Sequence, residues 1–294
     1  MGNFSIGDRI EDIALQLDGT REGDGFRCLC PICSGRGLSV TTSRRSGKLL
    51  FHCFTSDCSF LDIVEALREV GIETGTQSNS HHNYDGEIAA LARRIRYAHS
   101  LYRRGEDALG TIVETYHHRR GIKLLSPVLR FIRFCPHRNG CSYPAMAAPV
   151  VDVDGAIIGM SATFLRADGS GKVDLPAREQ RQFYGMVKGG AVRLETLGEP
   201  LLVGEGIESV LSAMQLRGCL SGWAALSAIG LRSLDLPPEI ESIVIAADND
   251  DVGIDATLFA YRRWSDEGRT VRIITPPDAD KDFNDTLRTR GLAS

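Results

Sequence analysis

In the C-terminal third of the chain, short apolar runs alternate with helical patterns, and each run is followed by carboxylates. The runs are Pro200–Val203, Ser242–Ala246 and Val271–Ile274, with helical patterns from Ile207 to about Leu216 and from about Gly253 to Glu267. Unbroken apolar strands separated by helices are the pattern of a parallel sheet covered on both faces. A chain of this kind has few alternatives to an open α/β sheet.

Such sheets bind their ligands at the C-terminal ends of the strands, and the acids stand at those ends. Glu205, flanked by Gly204 and Gly206, closes the first run. Asp248 and Asp250 close the second, followed by Asp251 and Gly253, and Asp282 and Asp285 come after the third. Asp248 and Asp250 are two residues apart, so an extended backbone points both to one side. Carboxylates gathered at neighbouring strand ends repel one another unless a hard cation such as Mg²⁺ or Mn²⁺ neutralises them. A single acid there reads equally well as a helix cap. Three aligned strand ends favour metal chemistry.

Several function classes are excluded by absence. The sequence has no G-x-x-x-x-G-K-[ST] loop for an NTP-driven motor, no G-x-S-x-G and no H-E-x-x-H. The apolar stretch Pro144–Met160 is broken by Asp152 and Asp154, which argues against a membrane span. Met1–Gly7 lacks the basic start and apolar core of a secretory signal. The expectation is a cytoplasmic protein whose cysteines are thiols or metal ligands.

Cys30-Pro-Ile-Cys33 and Cys53-Phe-Thr-Ser-Asp-Cys58 bracket a β-rich stretch containing Leu38–Thr42 and Lys48–His52. Two cysteine pairs on two turns can place four thiolates tetrahedrally around one structural Zn²⁺, which replaces the core that a small module lacks. Cys28 is an alternative to Cys30, and His52 is a poorer one to Cys53. Cys135, Cys141 and His137 lack the tight pairing of a metal site, and Cys219 reads as packing.

With 294 residues and 43% hydrophobic content, two or three small domains are expected. The divisions read as a zinc module over 1–73, a polar linker over 74–86, a basic region over 87–196 and the acidic α/β domain over 197–294. The formal net charge is −4, but from Glu87 to Leu194 basic residues outnumber acidic ones. Ile88, Leu91, Ala92 and Ile95 recur at helical spacing with Arg93, Arg94 and Arg96 on other faces; Arg103, Arg104, His117, His118, Arg119 and Arg120 follow. Each cluster alone reads as a solvated surface. Their recurrence over one domain suggests a polyanion footprint.

These motifs together resemble the bacterial DnaG-type replicative primase family over nearly the whole chain. Cys30, Cys33, Phe51-His52-Cys53 and Cys58 resemble its CHC2-type zinc-binding domain, with a longer closing spacing. Glu114–Ile122 and the proline, aspartate and glycine hairpin Pro149–Gly159 resemble its N-terminal polymerase subdomain. Lys172 then falls near a family lysine that faces nucleic acid or nucleotide. Glu205, Asp248 and Asp250 resemble the acids of a Toprim domain, Asp282 resembles a further one, and Asp285 is a second candidate beside it. The arrangement is most similar to Toprim proteins of phages, plasmids and mobile elements.

The resemblance implies an α/β fold made of an N-terminal zinc ribbon, a mixed α/β primase-like middle subdomain and a C-terminal Toprim, Rossmann-like parallel sheet. It implies template-directed synthesis of RNA primers on single-stranded DNA from ribonucleoside triphosphates. Glu205, Asp248, Asp250 and Asp282 would hold Mg²⁺ or Mn²⁺, while Arg119, Arg120 and Lys172 would contact nucleic acid. A replicative helicase would act in trans, because the sequence stops before a helicase-binding domain. A Toprim nuclease, or a non-catalytic zinc-containing protein that binds single strands, would use much of the same sequence.

Overall fold

The computed structural model describes residues 6–292 apart from 34, 44–48, 56–57, 70–71, 73–79, 196–197, 219–220 and 278–281. Cys219 and the first part of the expected linker lie outside the described residues. The chain divides into two compact units, Met1–Asp85 and Gly86–Ser294.

In the first unit, α1 (Ile6–Gln16) precedes the strands β1 (Thr20–Glu22), β2 (Gly25–Cys28), β3 (Leu38–Thr42) and β4 (Leu49–Cys53), and α2 (Phe60–Glu69) follows. The strands form an antiparallel sheet in the order β1-β2-β3-β4. Strand alternation is strict in β4: Leu49, Phe51 and Cys53 face the core while Leu50 and His52 face solvent. Ile10, Ile13, Ala14 and Leu17, spaced as one helical stripe, join Ile63, Val64 and Leu67 of α2 over Leu38 and Val40.

The second unit begins within α3 (Ser80–Arg103) and continues with β5 (Glu106–Asp107), α4 (Ile112–Arg119), β6 (Arg130–Pro136), β7 (Ser142–Val151), β8 (Ile157–Phe164) and β9 (Arg181–Gly185). β5 to β9 form an antiparallel meander in chain order. Thr111 starts α4 by accepting a hydrogen bond from the Val113 N–H at 3.2 Å.

Next come β10 (Val192–Arg193), β11 (Leu201–Gly204), α5 (Ile207–Arg217), β12 (Gly222–Ala224), α6 (Ala228–Ser233), β13 (Ser242–Ala246), α7 (Asp251–Asp266), β14 (Thr270–Ile274) and α8 (Phe283–Leu292). The sheet order is β10-β12-β11-β13-β14, parallel except for β10. All four residues of β11 are buried, as a central parallel strand requires. The expected α/β class, with a cysteine cluster near the N-terminus and a parallel sheet at the C-terminus, is therefore present. One hydrophobic core joins Val113, Tyr116 and Met146 of the middle region to Leu202, Val210 and Phe283 of the α/β region.

The sequence expectations need correction in three places. The linker expected over 74–86 is helical from Ser80 onward, because helix elongation from an established α3 costs little even through polar residues. Among the described side chains of α3 the buried ones are Ala98 and Leu101, whereas Ile88 is 52% exposed. The strand β12 went unrecognised because it is only three residues long and starts with glycine. A Cβ at Gly222 would lie 2.3 Å from the Met214 sulfur, so the glycine is what lets α5 lie close against β12.

Candidate active site and metal centres

In the N-terminal unit, the sulfurs of Cys30, Cys33, Cys53 and Cys58 all lie within 4.8 Å of one another. Cys30 and Cys58 are 3.8 Å apart and Cys33 and Cys53 are 3.6 Å apart. Tetrahedral Zn–S bonds of about 2.3 Å require S···S separations of about 3.8 Å, so the four fit one zinc ion. Burial, reinforced by Cys30 and Cys33, pushes the Cys58 thiol up, so four thiolates need a cation to coexist. Cys28 is excluded by direction: its sulfur points at Gly19, where a Cβ would approach it to 2.6 Å. His52 faces outward and meets the Phe54 ring edge-on at 4.4 Å.

The cysteines of the middle region form no such group. Cys135 is buried beside the Tyr184 hydroxyl at 3.6 Å and Cys141 is exposed. The two His137 nitrogens are engaged by the Glu179 carbonyl and the Asn139 N–H, both at 3.1 Å.

At the C-terminal edge of the parallel sheet, β11 delivers Glu205 and β13 delivers Asp248. Gly204 permits this turn, since a Cβ there would meet Val210 at 2.9 Å. Leu226, after β12, sits in the left-handed region at φ 72. Its N–H donates to the Glu205 carbonyl at 2.7 Å, tying that turn to the backbone of the acid.

Glu205 Oε1 is buried without a hydrogen-bond partner. Burial, together with the charges of Asp248 and Asp250, pushes the Glu205 carboxyl up to about 7 against a smaller opposing effect of Arg181. Asp248 is pushed up to about 6 by burial and by Asp282, although the Ser209 hydroxyl donates to it at 3.2 Å. Like charges and burial thus oppose ionisation at this strand edge, although among the described residues only the four cysteines bring their ligand atoms close enough together to enclose one ion as they stand.

The capping role expected of a bland acid is real for two of the group. Asp250 Oδ1 accepts from the Gly253 N–H at 2.7 Å and so starts α7; Asp282 Oδ1 accepts from the Asp285 N–H at 2.8 Å at the start of α8. Each cap uses one carboxylate oxygen and fixes the side chain's direction. The Asp282 charge is one of the causes that raise the Asp248 carboxyl. Asp285 stands in the first turn of α8.

The basic residues separate by burial. Arg119 is exposed at the end of α4, whereas Arg120 turns inward with its guanidinium 5.6 Å from the Tyr116 ring centroid. His117 is 1% exposed, and burial pulls it down to about 4, so it is neutral and no part of a basic surface. Its position on the buried side of α4, beside Val113 and Tyr116, explains the difference.

Sequence reasoning missed Glu208. Its side chain is 12% exposed, with the Lys172 ammonium 3.4 Å away and the Tyr116 hydroxyl donating at 2.6 Å. Burial alone would raise it, but Lys172, Arg120 and Tyr116 outweigh that and hold it well below the usual carboxylate range. The one signal in the sequence was its place one turn after Glu205.

No curated protein matches the sequence. Residues 92–194 match a domain family of unknown function, DUF7146. Among solved structures, the primase fragment of the bacteriophage T7 primase-helicase protein is similar at 17% identity, over 61% of this chain and 66% of that one, with a TM-score of 0.39. The Aquifex aeolicus primase, comprising zinc-binding and RNA polymerase domains, is similar at 16% identity over 99% of this chain and 84% of that one, also with a TM-score of 0.39. Residues 200–293 match the Toprim domain model, and Glu205, Asp248, Asp250 and Asp282 all fall inside them.

Proposed function

We propose that the protein is a primase-like nucleotidyltransferase that joins ribonucleotides on a single-stranded DNA template. The observation that carries this reading is the buried, partnerless Glu205 carboxylate oxygen among acids that destabilise one another. Glu205, Asp248 and Asp250, supported by Asp282, would hold Mg²⁺ or Mn²⁺. Bound there, the metal would lower the cost of deprotonating the attacking hydroxyl and offset charge on the phosphates. Ser209 orients Asp248 through its hydroxyl. Lys172 brings a positive charge for the phosphates, and the zinc module and Arg119 serve the template strand. A replicative helicase would deliver that strand.

The direct test is incubation of pure protein with single-stranded DNA, labelled ribonucleotides and Mg²⁺. Short labelled RNA, absent when EDTA is added, is the expected product. Cleavage of the DNA without RNA synthesis would establish the nuclease reading, and binding without either reaction would establish the non-catalytic one.

Template binding is expected to be salt-sensitive. Neutralising Arg119 and Arg120 together should weaken it and reduce the slope of log K against log salt by about 0.7, the value for one phosphate contact on a single strand. Arg119→Ala alone should carry most of the change, because Arg120 is turned inward. Titrations at several salt concentrations measure this, and an unchanged slope would make these arginines an ordinary solvated surface.

A further inference from the structure

Glu208 is a buried acid that none of the steps above uses, and a buried carboxylate is retained at a cost unless it is paired. Its partners come from distant parts of the chain. Tyr116 Oη, from α4, is 2.6 Å from Glu208 Oε1, and Lys172 Nζ, from the segment after β8, is 3.4 Å from the same oxygen. Arg120, over the Tyr116 ring, adds a second positive charge that acts on the same carboxylate. Two cations thus share one anion, which stands on α5 one turn after Glu205.

Hydrogen bonds tie this group to the acid-bearing segments. The Ser212 hydroxyl donates to the Glu208 carbonyl at 2.7 Å, and Asn284 Nδ2 donates to Ser212 Oγ at 2.9 Å and to the Arg120 carbonyl at 3.0 Å. Glu208 stands three residues after Glu205, and Asn284 two after Asp282. The Lys172 side chain remains 34% exposed, so its ammonium is pinned on one side and open on another. A plain structural pin between α4 and α5 would not need an exposed ammonium.

We propose that Glu208 is a positioning residue: it holds the Lys172 ammonium at a fixed place beside Glu205, where it meets the phosphates of a metal-bound nucleoside triphosphate. The inference rests on the nucleotidyl-transfer reading of the acid site. An unrestrained lysine samples many rotamers and must be ordered when ligand binds, whereas a lysine held by a buried carboxylate is already ordered.

The test is equilibrium binding of ATP with Mg²⁺, alongside thermal melting, for wild type, Glu208→Gln, Lys172→Met, the double variant and Tyr116→Phe. Glu208→Gln keeps the shape and a hydrogen-bond acceptor for Tyr116 but removes the charge that holds the lysine. It is expected to weaken ATP binding roughly ten-fold, the loss for one charge-assisted contact. Lys172→Met should lose as much, and the double variant no more than either, because the two act as one unit. Tyr116→Phe should show a smaller loss in the same direction, which guards against misfolding of the Gln variant. Where primers are made, KM for ribonucleotide should rise more than kcat falls.

Unchanged or tighter ATP binding by Glu208→Gln, additive losses in the double variant, or no ATP binding by wild type would each overturn the proposal. Wild type that binds ATP with Mg²⁺, loses that binding in Glu208→Gln and makes no primer would sink the primase reading while leaving the positioning role standing.

Discussion

Asp248→Asn and Glu205→Gln are each expected to abolish primer synthesis, with a loss of roughly a thousand-fold or more, while single-stranded DNA still binds. The amide keeps the size of the side chain but removes the charge that a hard cation requires. Metal stabilisation of a phosphoryl-transfer transition state is worth several kcal/mol, and each ~1.4 kcal/mol is a factor of ten in rate. Labelled primer formation on a defined template measures the effect. Full synthesis by either variant would remove that acid from the mechanism.

The same substitutions should leave the metal-free protein more stable, in a pH-dependent way. The Glu205 carboxyl sits at about 7 and Asp248 at about 6, against ordinary values of 4.5 and 3.8. The folded state therefore holds protons that the unfolded state releases, and stability declines as pH rises through that interval. Below about pH 3 both states are protonated and wild type should melt close to Glu205→Gln. The gap should widen between the ordinary and the raised values, level off above them, and close when Mg²⁺ is added to wild type. Melting curves across this range with and without Mg²⁺ give the measurement. A gap that shrinks as pH rises would mean that the acids do not destabilise one another.

How far the sequence exposes this site depends on how local each signal is. The strand-end positions of Glu205, Asp248 and Asp250 were legible because each follows an unbroken apolar run that forms a strand. The cysteine pairs were legible for a similar reason, and only direction, seen in the Cys28 sulfur facing Gly19, separates Cys28 from Cys30. The Glu208 group was not legible, because Tyr116 and Lys172 reach it across 92 and 36 positions of chain through tertiary packing. His117 looked like one more basic residue until α4 acquired a buried side. Gly222 weakened the pattern of β12 because its role is to admit α5, not to extend the sheet.

Removing the zinc site should have the larger structural consequence. Cys33→Ser or Cys58→Ser is expected to reduce bound zinc from about one ion per chain to none and to unfold the N-terminal unit, while the second unit stays folded. A structural zinc in a small module contributes about 10–16 kcal/mol to folding, comparable to or above the ~5–15 kcal/mol net stability of a whole domain. The core around Ile13, Leu38, Val40 and Ile63 includes Cys30 and Cys53 themselves, so the metal and the apolar packing share the same side chains. Loss of the ion would leave thiols that neither pair nor pack equally well. Metal analysis with limited proteolysis separates the outcomes: zinc should disappear and cleavage should appear within residues 1–85 alone. Cys28→Ser should retain zinc, since its sulfur faces Gly19 on the other side of the strand end. Unchanged zinc in both Cys33→Ser and Cys58→Ser would refute the site, and zinc lost from Cys28→Ser but kept in Cys30→Ser would move one ligand.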